Sequence, residues 1–462
     1  MIEQDVMKTV NPTTGKPLKE YSLMTNEEAS AAVKRCHDAF VDWKKKSLEE
    51  RAEVIKAIGK NLAASKKEFA QLMTNEMGKL RSQGEQEIEL CAKICEHTAE
   101  SGSKELQNEP ERELPGGGRG IIKYSPIGVV YGIQPWNFPA YQVIRYAIAN
   151  LMAGNGVLLK HAESVTGSAI KVKEVFEEAG LPKDLFTVLL INHDQSDEII
   201  KNDFVRGVTL TGSSKAGRHV AKVAGENLKK TVLELGSNDA YLVLDDADLE
   251  TAVDWSVKGR IYNNGETCVA AKRFVVTEKN YDKFLEAFTE KMSKIKFGNP
   301  NDEDTQLGPI VREDLRDKLH EQVEESVKKG AKVLCGGGIP EQDGFFYPAT
   351  VLANVEPGQP AYDDELFGPV ASVIKAKDDE DAMRIANDSR FGLGGGIFSK
   401  NEKYAIELAE KHFDTGMVFI NGFDVAQPNM PFGGVKNSGY GREHGGFGIK
   451  EFVNAKAINI LK

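Results

Sequence analysis

Cys268 is the residue best suited to covalent chemistry in this sequence, because it stands among small and polar residues between Tyr262 and Ala271. A thiolate is a good nucleophile and a good leaving group. A cysteine held where its pKa falls can therefore form and break a bond to a carbonyl carbon. A lone cysteine is also a small apolar side chain that packs well in a core. The stretch by itself leaves both interpretations open.

Two other segments carry side chains that would complete such chemistry. Glu234 is the only charge in the apolar stretch 231–236, and burial raises the pKa of a carboxyl toward neutrality, which suits a general base. A glutamate in a structural salt bridge is the alternative. Asn137 lies in Pro-Trp-Asn-Phe-Pro, residues 135–139, where prolines fix the backbone and its amide could donate to a developing oxyanion. The alternative is an aromatic turn that fills a core.

Two predicted strand ends carry groups suited to a nucleotide. Gly212 and Ser213 follow a strand as a helix begins, where free N–H groups and the helix dipole favour a diphosphate. The full Gly-x-Gly-x-x-Gly fingerprint is missing, and a simple helix cap is the alternative. Lys160 and Glu163 follow another strand. An acidic group there would bond the adenosine ribose hydroxyls and repel a 2′-phosphate, which favours NAD over NADP.

The elements that must position these residues alternate along the chain. Hydrophobic periodicity predicts helices at 48–63, 67–77, 168–179, 194–202 and 215–224, and strands at 120–124, 128–133, 157–160, 185–191 and 205–211. Such alternation predicts an α/β fold with a doubly wound parallel sheet, whose ligands bind beyond the carboxyl ends of the strands. The nucleotide-suited groups lie at such ends.

Composition limits the classes of function. A chain of 462 residues with a formal charge of -11 has room for two or three domains and lacks the concentrated basic face that nucleic acid needs. No apolar run is long enough for a membrane span. The five cysteines show no zinc-type spacing, so we predict no metal site and a reducing cytoplasmic location. The alternating tail 452–460 predicts an edge strand that pairs with a partner subunit, in a homodimer or homotetramer.

Taken together and in this order, these segments resemble the aldehyde dehydrogenase superfamily. The resemblance extends to Asp364–Val370, Asn421-Gly422 and Pro431–Glu443, and so covers essentially the whole chain. Within the superfamily the sequence is most similar to short bacterial succinate-semialdehyde dehydrogenases, which share the Pro-Trp-Asn-Phe-Pro segment followed by an arginine and then Leu-Lys-His-Ala.

The resemblance implies a role for each candidate residue. Cys268 matches the nucleophile, Glu234 the base, and Asn137 the side-chain half of an oxyanion hole completed by the Cys268 backbone N–H. The remaining matches are cofactor contacts: Lys160 and Glu163 at the adenosine ribose, Ser213 beside Gly212 at the diphosphate, Trp136 as a wall, and Glu365 with Phe367 at the nicotinamide half. The implied cofactor is NAD, with NADP as an alternative.

The resemblance also implies the fold and its division. We expect a doubly wound cofactor domain from residues 1–110 and 127–236, an α/β catalytic domain from 237–444, and oligomerisation strands from 111–126 and 445–462. The implied reaction is oxidation of an aldehyde to a carboxylic acid through a cysteine thioester, with succinate semialdehyde as the expected substrate. Another small or aliphatic aldehyde, or a catalytically quiet structural relative, is the alternative.

Substrate selection and three departures from the family pattern complete the expectations. Arg145, with Tyr141 on the same predicted helix, is expected to bind a substrate carboxylate, although an arginine paired with an acid is the alternative. A second arginine of some relatives is replaced here by Tyr262. Glu266 replaces the usual glutamine and is expected to point outward. Ser237 replaces a glycine and is expected to alter the pocket or the Glu234 side chain.

Overall fold

The computed structural model describes residues 6–461 of the chain. The α-helices in this range are α1 (Asn26–Trp43), α2 (Leu48–Met77), α3 (Arg81–Leu106), α4 (Tyr141–Ala153), α5 (Thr166–Glu178), α6 (His193–Lys201), α7 (Ser214–Glu226), α8 (Leu249–Ile261), α9 (Glu278–Ser293), α10 (Glu313–Lys328), α11 (Pro360–Asp363), α12 (Asp379–Asn387), α13 (Glu402–Lys411) and α14 (Gly448–Glu451). Two short 3-10 helices cover Glu163–Val165 and Tyr262–Gly265.

The strands of the same range are β1 (Val6–Asn11), β2 (Lys16–Ser22), β3 (Arg112–Glu113), β4 (Arg119–Pro126), β5 (Val129–Gln134), β6 (Gly156–His161), β7 (Phe186–Val188), β8 (Val205–Thr211), β9 (Lys230–Glu234), β10 (Ala240–Val243), β11 (Arg273–Thr277), β12 (Lys332–Cys335), β13 (Thr350–Ala353), β14 (Val370–Ala376), β15 (Phe391–Gly392), β16 (Gly395–Phe398), β17 (Phe419–Ile420), β18 (Val435–Lys436), β19 (Gly439–Tyr440) and β20 (Val453–Ile460). The strands predicted at 128–133, 157–160 and 205–211 are β5, β6 and β8.

The helices predicted at 48–63 and 67–77 are one helix, α2. Its N-terminus is fixed by a capping box, in which Ser47 accepts from the Glu50 N–H and Glu50 accepts from the Ser47 N–H. Residues 64–66 are Ala, Ser and Lys, which do not break a helix, and this explains why the two predicted segments are continuous. The helix ends at Gly78, whose φ of +75° suits the residue that closes a helix.

A six-stranded sheet in the order β19-β9-β8-β5-β6-β7 forms the cofactor side of the molecule. Its strands β5 to β9 are parallel, and chain order runs outward from β5 in both directions, so the topological switch point lies between β5 and β8. Buried side chains of α2 to α5 cover one face and those of α1, α6 and α7 the other. The predicted α/β class with a doubly wound parallel sheet is confirmed.

A second, seven-stranded sheet has the order β12-β13-β14-β11-β10-β16-β17, in which only β12 is antiparallel to its neighbour. Its core includes Phe288, whose ring centroid lies 4.8 Å from that of Phe274 and 5.3 Å from that of Phe284. The β19 strand lies in the segment expected to belong to the catalytic domain, yet it pairs with β9 of the six-stranded sheet, with Gly439 opposite Glu234. The two halves are therefore joined directly beside the proposed base.

A three-stranded antiparallel sheet, β20-β4-β3, stands apart from both large sheets in its pairing. The β20 strand pairs with β4 along its whole length, from Val453 opposite Pro126 to Ile460 opposite Arg119. These strands lie in the two segments, 111–126 and 445–462, for which the family resemblance implies oligomerisation strands. The domain boundaries themselves stay a prediction. None of the helices within residues 6–461 is long and apolar enough to cross a membrane.

Candidate active site

A cleft lies at the carboxyl ends of β5, β8 and β9. Its walls include loop residues from both large sheets. Its volume is about 500 Å³. The predicted residues that line it are Trp136, Asn137, Gly212, Ser213, Cys268, Glu365 and Phe367. Trp136 and Phe367 meet edge to face, with ring centroids 5.8 Å apart. Aromatic walls beside the N-terminus of α7 suit a flat ring carrying a diphosphate.

Ser213 is also the N-cap of α7, because its hydroxyl accepts from the Ala216 N–H at 3.2 Å. The alternative interpretation of this segment as a helix cap is therefore correct at the level of local structure. Capping occupies one backbone N–H of the first turn, and the residue still faces the cleft. Its contact with a cofactor diphosphate stays a prediction.

The loop that presents Cys268 is bent by three successive residues in the left-handed region. Asn263, Asn264 and Gly265 have φ values of +52°, +58° and +74°. Asparagine tolerates this region better than most side chains, and glycine adopts it without cost. A Cβ at position 265 would also lie 2.4 Å from the carbonyl carbon of Gly368. The Asn-Asn-Gly sequence is thus what allows the sharp turn before the thiol.

Asn137 is held beside this loop by hydrogen bonds in both directions. Its Nδ2 donates to the backbone oxygen of Glu266 at 3.0 Å, and the Asn263 Nδ2 donates to the Asn137 backbone oxygen at 2.9 Å. The Asn137 Oδ1 accepts from Gln142 at 3.4 Å. Within residues 6–461, the second hydrogen of the Asn137 amide has no acceptor. In residues 6–461 the Cys268 N–H also has no acceptor, so both halves of the predicted oxyanion hole have a donor to offer.

The N-terminus of α4, the helix that follows Asn137, is held by the buried carboxylate of Glu87. The Glu87 Oε1 accepts from the N–H groups of Ala140 and Tyr141 at 2.8 and 2.9 Å, and Glu87 pairs with the fully buried Lys79. These bonds satisfy the first N–H groups of α4, which has no N-cap side chain of its own. Sequence reasoning missed this pair, because nothing near position 87 indicates which helix it meets.

Glu234 ends β9 and is only 2 % exposed. In the described part of the chain neither of its carboxyl oxygens has a hydrogen-bond partner. Burial raises its pKa to about 8, with Glu443 adding to the rise and Arg145 opposing it. The salt-bridge alternative is not what the geometry shows, and a carboxyl of this kind can accept a proton near neutral pH.

The thiol of Cys268 lies partly open to the cleft. Desolvation by the surrounding protein raises its pKa to about 12, and the cations Arg145 and Lys272 oppose this rise. Glu234 and Glu365 act in the same direction as desolvation. The thiol therefore has to lose its proton as the reaction begins, and the two cations are the groups that favour the thiolate.

The expectation that Glu266 points outward is wrong. Its side chain is fully buried, and its Oε1 accepts from the Val311 N–H at 3.1 Å. Burial raises its pKa well above the usual range, opposed by the Val311 bond and by Lys79. The carboxyl thus faces Lys79 and the chain at Val311. The cause is the turn at residues 263–265, which directs the side chain into the protein interior.

Ser237 adds no bulk to the cleft. Its hydroxyl donates to the buried carboxylate of Asp239, and its N–H donates to the Glu365 Oε1 at 3.0 Å. The side chain is fully buried there. The serine thus helps to hold Glu365, and the expected alteration of the pocket is not seen at this position.

Arg145 is buried and paired. It forms an ion pair with Glu443, and its Nη2 donates to the Thr211 Oγ1 at 2.9 Å. Its guanidinium carbon lies 5.3 Å from the centre of the Tyr141 ring and 4.8 Å from that of Phe432. Its Nη1 has no partner in residues 6–461. The alternative interpretation, an arginine paired with an acid, is therefore correct for the ion pair with Glu443. Contact of the remaining Nη1 with a substrate carboxylate stays a prediction.

Lys160 and Glu163 line a second cavity of about 490 Å³, together with Lys8, His193 and Arg312. Neither the Lys160 nor the Glu163 side chain is engaged in a hydrogen bond with another residue between 6 and 461. Burial lowers the pKa of Lys160, and Glu163 opposes this. The cavity therefore presents both signs of charge, and its role as the adenosine site stays a prediction.

Lys272 is a buried cation that sequence reasoning missed. It is 1 % exposed, and its Nζ donates to the backbone oxygens of Cys268 and Thr267 at 2.5 and 3.1 Å. The same ammonium lies 3.3 Å from the Glu365 Oε1. The sequence did indicate a buried lysine here, because Lys272 lies four residues after the thiol and directly before the apolar strand β11.

Comparison with known proteins agrees with this geometry. The family model described as "Aldehyde dehydrogenase family" matches residues 2–458. Succinate semialdehyde dehydrogenase [NAD(P)+] Sad of Escherichia coli (strain K12) is 42% identical over 450 residues, which cover 97% of each chain. A succinate-semialdehyde dehydrogenase [NADP(+)] of Mycobacterium leprae (strain TN) is 40% identical over 97% of this chain and 98% of its own.

A solved structure gives the same result for the fold. The crystal structure of succinic semialdehyde dehydrogenase from Streptococcus pyogenes in complex with NADP+ superposes with a TM-score of 0.96 and is 36% identical, covering 99% of this chain and 100% of the other. A family match of this length, together with full-length relatives at about 40% identity, identifies an aldehyde-oxidising enzyme with a nicotinamide cofactor. The chain belongs to the aldehyde dehydrogenase family.

Proposed function

We propose that this enzyme oxidises its aldehyde to the free carboxylic acid, with Cys268 as nucleophile, Asn137 as oxyanion donor and Glu234 as general base. The observation that carries this proposal is the Glu234 carboxyl. It is buried at a strand end, has no partner in residues 6–461, and is close enough to Cys268 to influence the pKa of the thiol. A structural glutamate would have a partner.

The chain's own groups then act in sequence. The Cys268 thiol loses its proton to solvent water, and the resulting thiolate attacks the aldehyde carbon. The oxyanion that forms is held by the Cys268 N–H and by the second hydrogen of the Asn137 amide. A nicotinamide ring bound in the cleft supplies the acceptor for the hydride. Glu234 then takes a proton from the water that attacks the thioester, and the thiol is released. Without such a base the thioester would be hydrolysed much more slowly.

The test is cofactor reduction, followed as absorbance, with a panel of aldehydes. Wild type is expected to form one acid per cofactor reduced, and Cys268→Ala is expected to form none. Reduction by Cys268→Ala at the wild-type rate would remove the thiol from the mechanism. No reduction by wild type with any aldehyde would favour the catalytically quiet alternative.

Succinate semialdehyde is the substrate that we propose. The support is the activity for which the relatives in Escherichia coli and Mycobacterium leprae are named, together with a buried Arg145 whose Nη1 is left without a partner in the described chain. A guanidinium N–H is a strong donor to a carboxylate. Tyr141, whose ring lies against this guanidinium, is the second proposed contact.

The substrate proposal is tested by comparing succinate semialdehyde with butanal, which has the same chain length without the carboxylate. Wild type is expected to have the higher kcat/KM with succinate semialdehyde. A variant that removes the Arg145 guanidinium loses one charged hydrogen bond to the substrate, so its preference should fall by about 10-fold to 100-fold. The single variant Arg145→Met would leave the Glu443 carboxylate buried and unpaired. The preference is therefore measured in the double variant Arg145→Met/Glu443→Gln, which removes both charges. Equal use of both aldehydes by wild type would refute the substrate and leave the aldehyde chemistry standing.

For the cofactor we propose that NAD is preferred and that NADP is accepted. The relatives named above use NAD(P)+ or NADP+, while the second cavity holds both the Glu163 carboxylate and the cations Lys160 and Arg312. A carboxylate there repels a 2′-phosphate and the cations attract it. Glu163→Gln is expected to raise kcat/KM for NADP by about tenfold relative to NAD. An unchanged ratio would show that Glu163 does not select the cofactor.

We also propose that the enzyme is a homodimer or homotetramer built through β20. In residues 6–461 the outer edge of β20 pairs with no strand, and Ile458 and Ile460 are about two-fifths exposed on this strand. An open, partly apolar strand edge is a surface for a second copy. Light scattering on the intact protein, compared with Ile458→Lys, tests this. A monomer in wild type would refute it. The cytoplasmic location stays a prediction.

A further inference from the structure

Lys272 touches the peptide group that is expected to stabilise the oxyanion. The N–H of Cys268 belongs to the same peptide group as the carbonyl of Thr267. Lys272 donates to that carbonyl at 3.1 Å and to the next one, of Cys268, at 2.5 Å. Two successive carbonyls of the nucleophile loop are therefore held by one buried ammonium.

This contact fixes where the Cys268 N–H points. A peptide group is planar and trans, so its N–H lies opposite to its C=O. With the Thr267 carbonyl directed at Lys272, the N–H is directed away from the lysine. No atom within residues 6–461 accepts it, whereas Cys268 itself lines the cleft. A cation on the carbonyl also polarises the peptide, which makes its N–H a stronger donor.

We infer that Lys272 is a positioning residue for the oxyanion hole: it orients and polarises the Thr267–Cys268 peptide, whose N–H is the backbone donor to the oxyanion. This inference rests on the proposed role of Cys268 as nucleophile. The ammonium also pairs with Glu365, which is itself fixed by the Ser237 N–H at 3.0 Å.

Two other roles for Lys272 make different predictions. If it only favoured the thiolate, its loss would slow every reaction of the thiol to the same degree. If it only supported the fold, its loss would resemble that of another buried cation. Arg273, the next residue, is the matched control: it is 1 % exposed and donates to the backbone oxygens of Asn238, Ile385 and Ala386, remote from the loop.

The experiment compares Lys272→Met, Lys272→Arg and Arg273→Met in the full chain, after a panel of aldehydes has identified one that wild type oxidises. Three quantities are measured: kcat and KM for aldehyde and cofactor, the rate of Cys268 alkylation by iodoacetamide across pH without cofactor, and the midpoint of thermal unfolding. Alkylation reports the thiolate but forms no oxyanion, so it separates the two catalytic roles.

We expect Lys272→Met to lower kcat by about 10-fold to 100-fold, somewhat less than loss of a complete oxyanion donor. Its alkylation rate at fixed pH should fall by a smaller factor, and KM for the cofactor should stay within about threefold. Lys272→Arg, which can still donate to both carbonyls, should recover most of kcat. Arg273→Met should lower the unfolding midpoint and leave kcat within about threefold of wild type.

Three outcomes would overturn the inference. These are a Lys272→Met enzyme with wild-type kcat, equal losses in kcat and in alkylation, or the same loss of kcat in Arg273→Met. If Lys272→Met does not fold, Lys272→Gln, which keeps a neutral donor, is measured in its place against the same criteria. Cys268→Ala separates this from the proposed function: activity without the thiol refutes the nucleophile, whereas an inactive Cys268→Ala beside an unaffected Lys272→Met refutes only the inference.

Discussion

Two buried carboxyls, Glu234 near the nucleophile in space and Glu266 two residues before it in the chain, have similar burial and different surroundings. Both are at most 2 % exposed, and burial raises the pKa of both. Glu234 stands at the end of β9, and neither of its oxygens has a partner in the described chain. Glu266 accepts the Val311 N–H and faces Lys79.

The comparison shows that burial alone does not make a carboxyl a base. A base also needs an oxygen that no other group occupies, and within residues 6–461 both oxygens of Glu234 meet this condition. Glu266 uses one oxygen to accept the Val311 N–H, so its side chain links the loop before Cys268 to the segment at Val311. The following variants test this distinction.

The largest effect is expected for Glu234→Gln. The amide cannot accept a proton from water, so hydrolysis of the thioester should slow by about 10²-fold to 10⁴-fold. Rapid mixing with aldehyde and cofactor should show a burst of about one reduced cofactor per active site, followed by slow turnover. Loss of the burst together with turnover would place Glu234 in thiol activation. Wild-type turnover would remove it from the mechanism.

The pH dependence of thioester hydrolysis gives the next effect. A base works when deprotonated, and the pKa of Glu234 is raised to about 8, so the hydrolysis rate should fall about tenfold per pH unit below that value and level off above it. The acylated Cys268 has no proton to lose, so it does not contribute to this profile. Single-turnover hydrolysis between pH 6 and pH 9 measures it, and a flat profile would contradict the assignment.

Glu443→Gln should move this profile to lower pH. Glu443 is a like charge that raises the pKa of Glu234, and its removal also frees Arg145 to attract the Glu234 carboxylate, so both changes lower that pKa. Glu407→Gln, at an exposed carboxyl paired with Lys411, is the control and should leave the profile in place. A profile displaced to higher pH would show that the charges around Glu234 act differently. Because Arg145 loses its partner, the protein should also be less stable.

The smallest catalytic effect is expected at Glu266. Glu266→Gln keeps an oxygen for the Val311 N–H, so kcat should stay within about threefold of wild type. Glu266→Leu leaves that N–H without a partner and should lower the free energy of unfolding by about 1–3 kcal/mol, measured with urea. A fall in kcat for Glu266→Gln as deep as that of Glu234→Gln would make the two carboxyls equivalent and end the comparison.

Much of the architecture could be predicted because helices and strands depend mainly on the pattern of neighbouring residues. Strand β8 has the ends that its alternating residues predict, and the Thr-Gly-Ser segment after it begins α7 as expected. The candidate residues after strands β5 and β8 also meet Cys268, Glu365 and Phe367 in one cleft. What could not be predicted concerns side-chain direction. The orientation of Glu266 depends on three left-handed residues in succession, and the pairing of Arg145 with Glu443 joins residues about 300 positions apart.

By itself, the sequence determined the α/β class, the family and the types of residue that can carry out thioester chemistry, because periodicity and motifs are properties of neighbouring residues. Only the tertiary structure decided that both oxygens of Glu234 lack a partner within residues 6–461, that Lys272 holds the nucleophile loop, and that Arg145 is paired with Glu443. These depend on partners brought together from distant segments, and the pKa of a buried group is set by those partners and by the water that they exclude.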